Sequence, residues 1–321
     1  MNESAPAPAD YQDRSTGLLV FGILTILMGA LCALFVPLMI FSQAMAARDP
    51  ALADTRGVIF GTGMYAGLAV AFIWLGIGSV RARRWAPALL TIFCWGWLLM
   101  GVISLVFMGI MMPAMLAKSH PPSGKLDPAM QGVIMAISLG FTAVVFVLIP
   151  GVWAFFYSHK NVRATCELRD PVERWTDRCP LPVLGAAFWT TLAAPCLLIM
   201  PLAGAAVLPF FGAFLSGWPA AVLCVVFGLV WLWAAWRIYK LDILGWWVVV
   251  SFVGLFSLSS ILTYSRHSIF ELYALMGYSQ AQMDLMREYT LPQSFLTWGV
   301  LAWVLPMLGY LIFIRRYFRK S

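Results

Sequence analysis

The chain has 321 residues, of which 62% are hydrophobic and only 11% charged, with a net charge of +7. A soluble domain runs nearer half apolar and a quarter charged, so this composition excludes a water-soluble globule and calls for lipid as the solvent. The basic residues lie in short loops between apolar runs, with no aromatic-interleaved basic face, so the positive charge argues topology and not nucleic-acid binding.

Residues 1–16 carry three acids and one arginine and read as a disordered cytoplasmic tail. The apolar run that follows is too long for a cleaved signal. A spanning helix needs about 20 apolar residues free of charge. Eight stretches qualify: 17–41, 57–80, 86–112, 132–157, 183–208, 217–236, 243–264 and 295–314. None holds Asp, Glu, Lys, Arg or His. With a cytoplasmic N-terminus, the inner segments carry 15 of the 21 Lys and Arg residues and the outer segments 6. That bias matches the positive-inside rule and predicts a multi-pass protein of the cell's inner membrane with both termini cytoplasmic.

The two halves resemble each other. Tyr11-x-Asp13-Arg14 precedes the first span and Trp175-x-Asp177-Arg178 the fifth, 164 residues later. The same offset pairs Cys32 with Cys196 and Pro37 with Pro201. Further on the offset is 156. It pairs Arg81 with Arg237, Arg84 with Lys240 and Pro150 with Pro306. The expected fold is therefore an all-α integral membrane protein of eight transmembrane helices, built as two tandem parallel four-helix repeats. The repeats are 17–157 and 183–314. A charged cytoplasmic linker, 158–182, joins them, and 315–321 forms a basic cytoplasmic tail.

Pro37, Pro150, Pro201 and Pro306 lie in spans and are candidate helix kinks, since each removes a backbone donor. They either frame a midplane site or shape packing. Asp13, Arg14, Asp177 and Arg178 read as interfacial anchors, the arginines toward lipid phosphate and the acids at helix starts. Ser257, Ser259, Ser260 and Thr263, with Ser104 at the place of Ser260, either line a polar path or bond back to helix carbonyls. Gly63-x3-Gly67 favours close helix contact. Residues 268–289 mix apolar and polar positions at near-helical period and predict an amphipathic helix on the outer face.

His159, Cys166 and Cys179 share the linker, but their spacing matches no common zinc site and a fourth ligand is lacking. Met108, Met111, Met112 and Met115 cluster at helical spacing, where thioethers serve as Cu(I) ligands or as ordinary filler. The remaining cysteines in spans behave as small hydrophobes. The spans offer no acid or histidine for proton relay, no haem ligand and no Schiff-base lysine, and the chain has no nucleotide loop. His120, His159 and His267 sit in separate loops without a spaced partner, so catalytic residues, cofactors and metals are not expected. Two functional classes remain. One is a non-catalytic structural, assembly or accessory subunit, with the lipid bilayer and other membrane proteins as partners. The other is a carrier or channel for a neutral or lipid-like solute.

Overall fold

A computed structural model describes residues 11–46, 55–118, 127–201, 206–288 and 293–318. His120 and the outermost residues of both tails lie outside them. Among the described residues eight helices are long and apolar enough to cross a membrane. They belong to α1 (Ser15–Ala46), α2 (Thr55–Val80), α3 (Trp85–Lys118), the pair α4 (Pro128–Ala143) and α5 (Ile149–Tyr157), α7 (Leu181–Ile199), α8 (Gly217–Tyr239), α9 (Ile243–Arg266) and α12 (Gln293–Phe318). The protein is a multi-pass, helical membrane protein. It divides into two compact units. One is Met1–Arg48, Gly57–Gly109 and Gly132–Leu181; the other is Asp49–Arg56, Ile110–Gln131 and Pro182–Ser321.

In the first unit, α1 packs against α2 through glycines. A Cβ at Gly22 would stand 2.9 Å from the Val80 nitrogen, and one at Gly29 2.9 Å from the Ile73 nitrogen. Only a bare Cα allows that approach, and dispersion across it replaces a hydrophobic force that lipid does not supply. Polar side chains cross-link the same unit. Ser79 Oγ donates to the Leu18 carbonyl (3.0 Å) and accepts from the Tyr157 hydroxyl (2.8 Å). Trp153 Nε1 donates to Thr25 (3.2 Å), whose own hydroxyl bonds back to Phe21.

The fourth span contains a π turn, Val144–Leu148, directly before α5. Pro150 explains its position. It has no N–H to give the Phe146 carbonyl four residues back, so the regular ladder fails there. The helix α3 approaches that carbonyl at Gly101, where any side chain would run into it.

In the second unit the fifth span is shorter than the apolar run. The expected helix 183–208 ends at Ile199, and Pro201 stands in the turn beyond it, not inside a span. A proline disfavours helical geometry in the residue before it, here Met200. The run then folds back as an antiparallel hairpin, β1 (Val207–Phe210) and β2 (Ala213–Ser216), in register Val207↔Ser216. Phe211 (φ +43°) and Gly212 (φ +99°) form its two-residue turn, a conformation that favours Gly. The fold is thus all-α apart from this hairpin. Pro37 and Pro306 lie inside α1 and α12, and Pro113 and Pro195 inside α3 and α7. Trp246 Nε1 ties α9 to the Leu311 carbonyl of α12 (2.7 Å), and the Tyr310 hydroxyl donates to the Pro182 carbonyl.

The described part of the expected helix 268–289, residues 268–288, forms two short helices instead of one. The first is α10 (Ile269–Leu275), opened by a Ser268/Glu271 capping box; the second is α11 (Gln280–Glu288). Gly277, at φ +82°, ends the first.

The turns α2–α3 and α8–α9 are built alike. Arg81, Ala82 and Arg83 donate to Ile77, Ser79 and Gly78; Lys240, Leu241 and Asp242 donate to Trp236, Ile238 and Arg237. Ala82 (φ +47°) and Leu241 (φ +60°) hold the same left-handed place. Corresponding residues of the two turns, such as Arg81 and Lys240, are 159 apart. Ring contacts repeat at the same separation: Phe72 on Phe93 and Phe93 on Trp97, then Trp231 on Phe252 and Phe252 on Phe256.

The glycine contacts give a direct test. Gly22→Val and Gly29→Val each lower stability in detergent by about 1–3 kcal/mol, the range for overpacking a close contact. Gly63→Val, where a Cβ meets nothing within 4 Å, stays within about 0.5 kcal/mol, as read by thermal denaturation.

Candidate functional site

The linker of the first unit is an ordered charged platform. Its helix α6 (Lys160–Arg169) begins at His159, whose Nδ1 accepts from the Asn161 nitrogen (3.2 Å) as an N-cap. Asn161, Val162, Thr165 and Cys166 form one face by helical spacing, and all four are buried. Thr165 Oγ1 bonds back to the Asn161 carbonyl and accepts from the Arg14 nitrogen (3.1 Å), so α6 holds the start of α1. Asp13 caps α1 by accepting from the Ser15 nitrogen and hydroxyl (3.0 and 2.8 Å), and pairs with Arg169 at 3.6 Å.

Asp170 is the centre of the platform. Its side chain is 4% exposed. Arg174 donates to both of its oxygens (2.9 and 3.2 Å), a fork that suits a carboxylate. Arg83 lies 3.7 Å away, and the Arg84 nitrogen donates to it at 3.4 Å. The Arg84 guanidinium reaches Asp177 at 3.2 Å and Glu167 at 3.7 Å. Asp177 also accepts from the Arg174 nitrogen (2.9 Å), closing the 3-10 turn Trp175–Arg178. It therefore caps that turn and not α7, which starts three residues after Arg178. The turn between α2 and α3 is locked to the linker by these bonds.

The bonding sets the ionisation. Hydrogen bonds from Arg174, with the Arg84 nitrogen and the nearby guanidinium charges, hold Asp170 below the ordinary carboxylate range. Hydrogen bonds from Ser15 do the same for Asp13. Burial pushes the Cys166 thiol up to about 12 and the Cys179 thiol to about 11, so both keep their protons and are poor nucleophiles. Among the described residues no three His, Cys, Asp or Glu side chains gather as a metal-holding group. The carboxylates at the centre are already held by arginines.

The hydroxyls of the α9 stripe bond to backbone groups of their own helix and of the hairpin. Ser257 and Ser260 donate to the Val253 and Phe256 carbonyls of their own helix. Ser259 donates to Pro209 (2.9 Å) and accepts from the Phe211 nitrogen (2.8 Å). Thr263 donates to the Ser259 carbonyl (2.8 Å) and accepts from the Gly212 nitrogen (3.0 Å). His267 follows one turn on and bridges Glu271 (2.6 Å) and the Gly212 carbonyl (3.0 Å). Its hydrogen bond is the main cause of a lowered Glu271. Together these groups clasp the hairpin tip. Ser104 belongs to the first unit and is exposed on α3. Of the methionine cluster, Met108 faces Thr142, whose hydroxyl donates to its sulfur at 3.4 Å. Gly63 and Gly67 face open space.

Sequence reasoning named Asp13, Asp177 and the arginines beside them but missed Asp170, Arg83 and Arg174. The available signal was the density of acids at 167–177 beside a triple-arginine turn. The hairpin clasp was signalled by Gly212 among the aromatic residues Phe210, Phe211 and Phe214. Comparison with known proteins finds no match: no family model, no curated protein and no solved structure matches the chain.

Asp170→Asn removes one charge from a nearly buried cluster whose partners are partly exposed. The expected cost is about 2 kcal/mol, below that of breaking a fully buried pair. Labelling of Cys166 and Cys179 by maleimide, mapped on peptides, then speeds up about 30-fold. Because the folded-state value of Asp170 is lowered, its contribution is complete above the ordinary carboxylate range. It is lost as pH falls through the lowered value, so the two proteins converge in acid.

Proposed function

We propose that this chain is a non-catalytic structural, assembly or accessory subunit of a membrane complex. What supports the reading above all is the use made of the polar groups within the spans. Ser79, Tyr157, Thr25, Trp153, Ser259 and Thr263 are engaged in holding helices and the hairpin together. Ser257 and Ser260, the rest of the hydroxyl stripe, are turned onto their own backbone. A solute path would need such groups turned outward to a passage. Instead each unit uses them as internal fastenings, as expected of a protein whose task is to present a fixed surface.

On this reading the protein lies in the inner membrane with the linker and both termini cytoplasmic, and the hairpin and α10–α11 on the other side. The halves are tandem, parallel four-helix repeats, supported by the matching turns and ring contacts 159 residues apart. The eight-residue change of offset read from the sequence is then two smaller ones, one before the α2–α3 turn and one after it.

Two measurements test these claims. Native mass spectrometry of protein extracted gently from its host into lipid nanodiscs is expected to retain a partner protein at fixed stoichiometry. A lone chain or homo-oligomer carrying a specific small molecule would point instead to a carrier of a neutral or lipid-like solute. For orientation, alkaline phosphatase fused after Gly277 is expected to be active and the same fusion after Lys240 inactive. The reverse pattern would overturn the proposed topology.

A further inference from the structure

A groove of about 210 Å³ opens on the first unit where the start of α1 meets the end of α5 and the start of α6. Its floor is the stacked pair Phe21 and Phe156, ring centroids 4.2 Å apart at 16°. Gly17 makes room for this pair, since a Cβ there would meet the Phe156 ring at 2.6 Å. Val152 and Phe155 form one side, and Val162 of α6 closes the end. Phe155 is 79% exposed, the most exposed large apolar side chain among the described residues. It stands two residues before the end of a spanning helix, so its neighbour is hydrocarbon at the edge of the headgroup layer.

The rim of this apolar groove is cationic. Arg14 lines it, one residue before α1 begins. Its guanidinium donates to the Gln12 side-chain oxygen (3.2 Å) and forms no ion pair among the described residues. The adjacent acid does not neutralise it, because Asp13 is engaged by Ser15 and Arg169. His159 also lines the rim. Its Nδ1 accepts from the Asn161 nitrogen, which leaves Nε2 to carry the ring's proton as a donor. Lys160 follows, exposed and likewise without an ion pair among the described residues. Elsewhere on the platform Arg83, Arg84, Arg163, Arg169 and Arg174 face carboxylates; here positive charge borders an apolar slot that opens to lipid.

We propose that the groove seats one acyl chain of an anionic phospholipid whose phosphate is held by Arg14, with His159 as second donor. Two features select this occupant. The apolar walls lie within a spanning helix, where the competing solvent is lipid. The uncompensated charge lies at headgroup depth, directly above them. A zwitterionic lipid fills the same slot but brings its own cation toward Arg14.

The test uses delipidated full-length protein in detergent. It is titrated with palmitoyl-oleoyl phosphatidylglycerol or the matching phosphatidylcholine and read by native mass spectrometry. The first lipid bound is expected to favour phosphatidylglycerol about fivefold, the scale of one basic residue near an anionic headgroup. Arg14→Gln removes that preference and Arg14→Lys keeps most of it. Val152→Trp fills the slot and weakens both lipids. Arg178→Gln removes an exposed arginine from the matching sequence motif and leaves the preference intact. Circular dichroism checks that each variant is folded. Equal binding of the two lipids by the natural protein would overturn the proposal. So would an Arg178→Gln loss as large as that of Arg14→Gln, which means a diffuse field. Binding unchanged by Val152→Trp, or displaced by millimolar glycerol phosphate, would mean that the headgroup alone is recognised and that the groove seats no chain.

Discussion

Lipid offers no hydrogen bonds, so every backbone group inside the membrane must find its partner in the protein. That constraint organises the interior of this molecule. Regular helix satisfies it by default, and the places of interest are where helix stops. At Pro150 the ladder loses a donor, the chain answers with a π turn, and α3 passes the Phe146 carbonyl with a bare glycine. The helix α7 ends at Ile199, and residues 207–216 form a hairpin. The hairpin that follows exposes amide and carbonyl groups at its tip, and Ser259 and Thr263 of α9 take them up. The hydroxyls are thus placed where the backbone needs them. A buried group left without a partner costs several times what a made bond contributes, so such pairings fix geometry strongly.

The same constraint sends the charges to the ends of the helices. There the problem changes from satisfying backbone to stabilising ions partly withdrawn from water. Asp170 shows the solution: a forked arginine from its own segment and two more from the α2–α3 turn. A single surface ion pair is worth little, but a nearly buried carboxylate with several donors is strongly tied to one arrangement. The linker therefore acts as a plate fastened to the first unit. The fastening joins segments about 90 residues apart, which no local rule of spacing records.

Much of the architecture was legible in the sequence because apolar run length and the absence of charge are direct consequences of the bilayer. All eight spans follow from that alone. The fifth shows the limit. Residues 183–208 carry no charge, and hydropathy does not distinguish a helix from a hairpin packed against α9. The deciding signals were backbone ones: Pro201, Pro209 and a glycine at a two-residue turn. Gly277 likewise divided an amphipathic stretch whose periodicity reads as a single helix. The Asp170 cluster was illegible for another reason. Its members are ordinary charged loop residues, and only the tertiary fold shows which of them meet.

Under the proposed duplication, the two tight turns give an offset three residues away from the one that the arginines give. Arginine spacing sets Arg81 against Arg237, but the turns are defined by backbone hydrogen bonds and a left-handed residue, which set Arg81 against Lys240. Surface arginines near a membrane are interchangeable within a turn of helix, because any of them reaches the headgroups. The contact inside the turn is less forgiving, since two helices meet there with room for one small residue. In the first turn the small residue is Gly78, facing Ala86; in the second it is Gly245, facing Arg237. At a separation of 159, Gly78 corresponds to Arg237 and Ala86 to Gly245, so the glycine has changed sides. What the proposed duplication preserves is therefore the gap between the helices, and not the residue that leaves it open. A comparison of residue types scores this place as two mismatches, although each turn keeps one glycine in the contact.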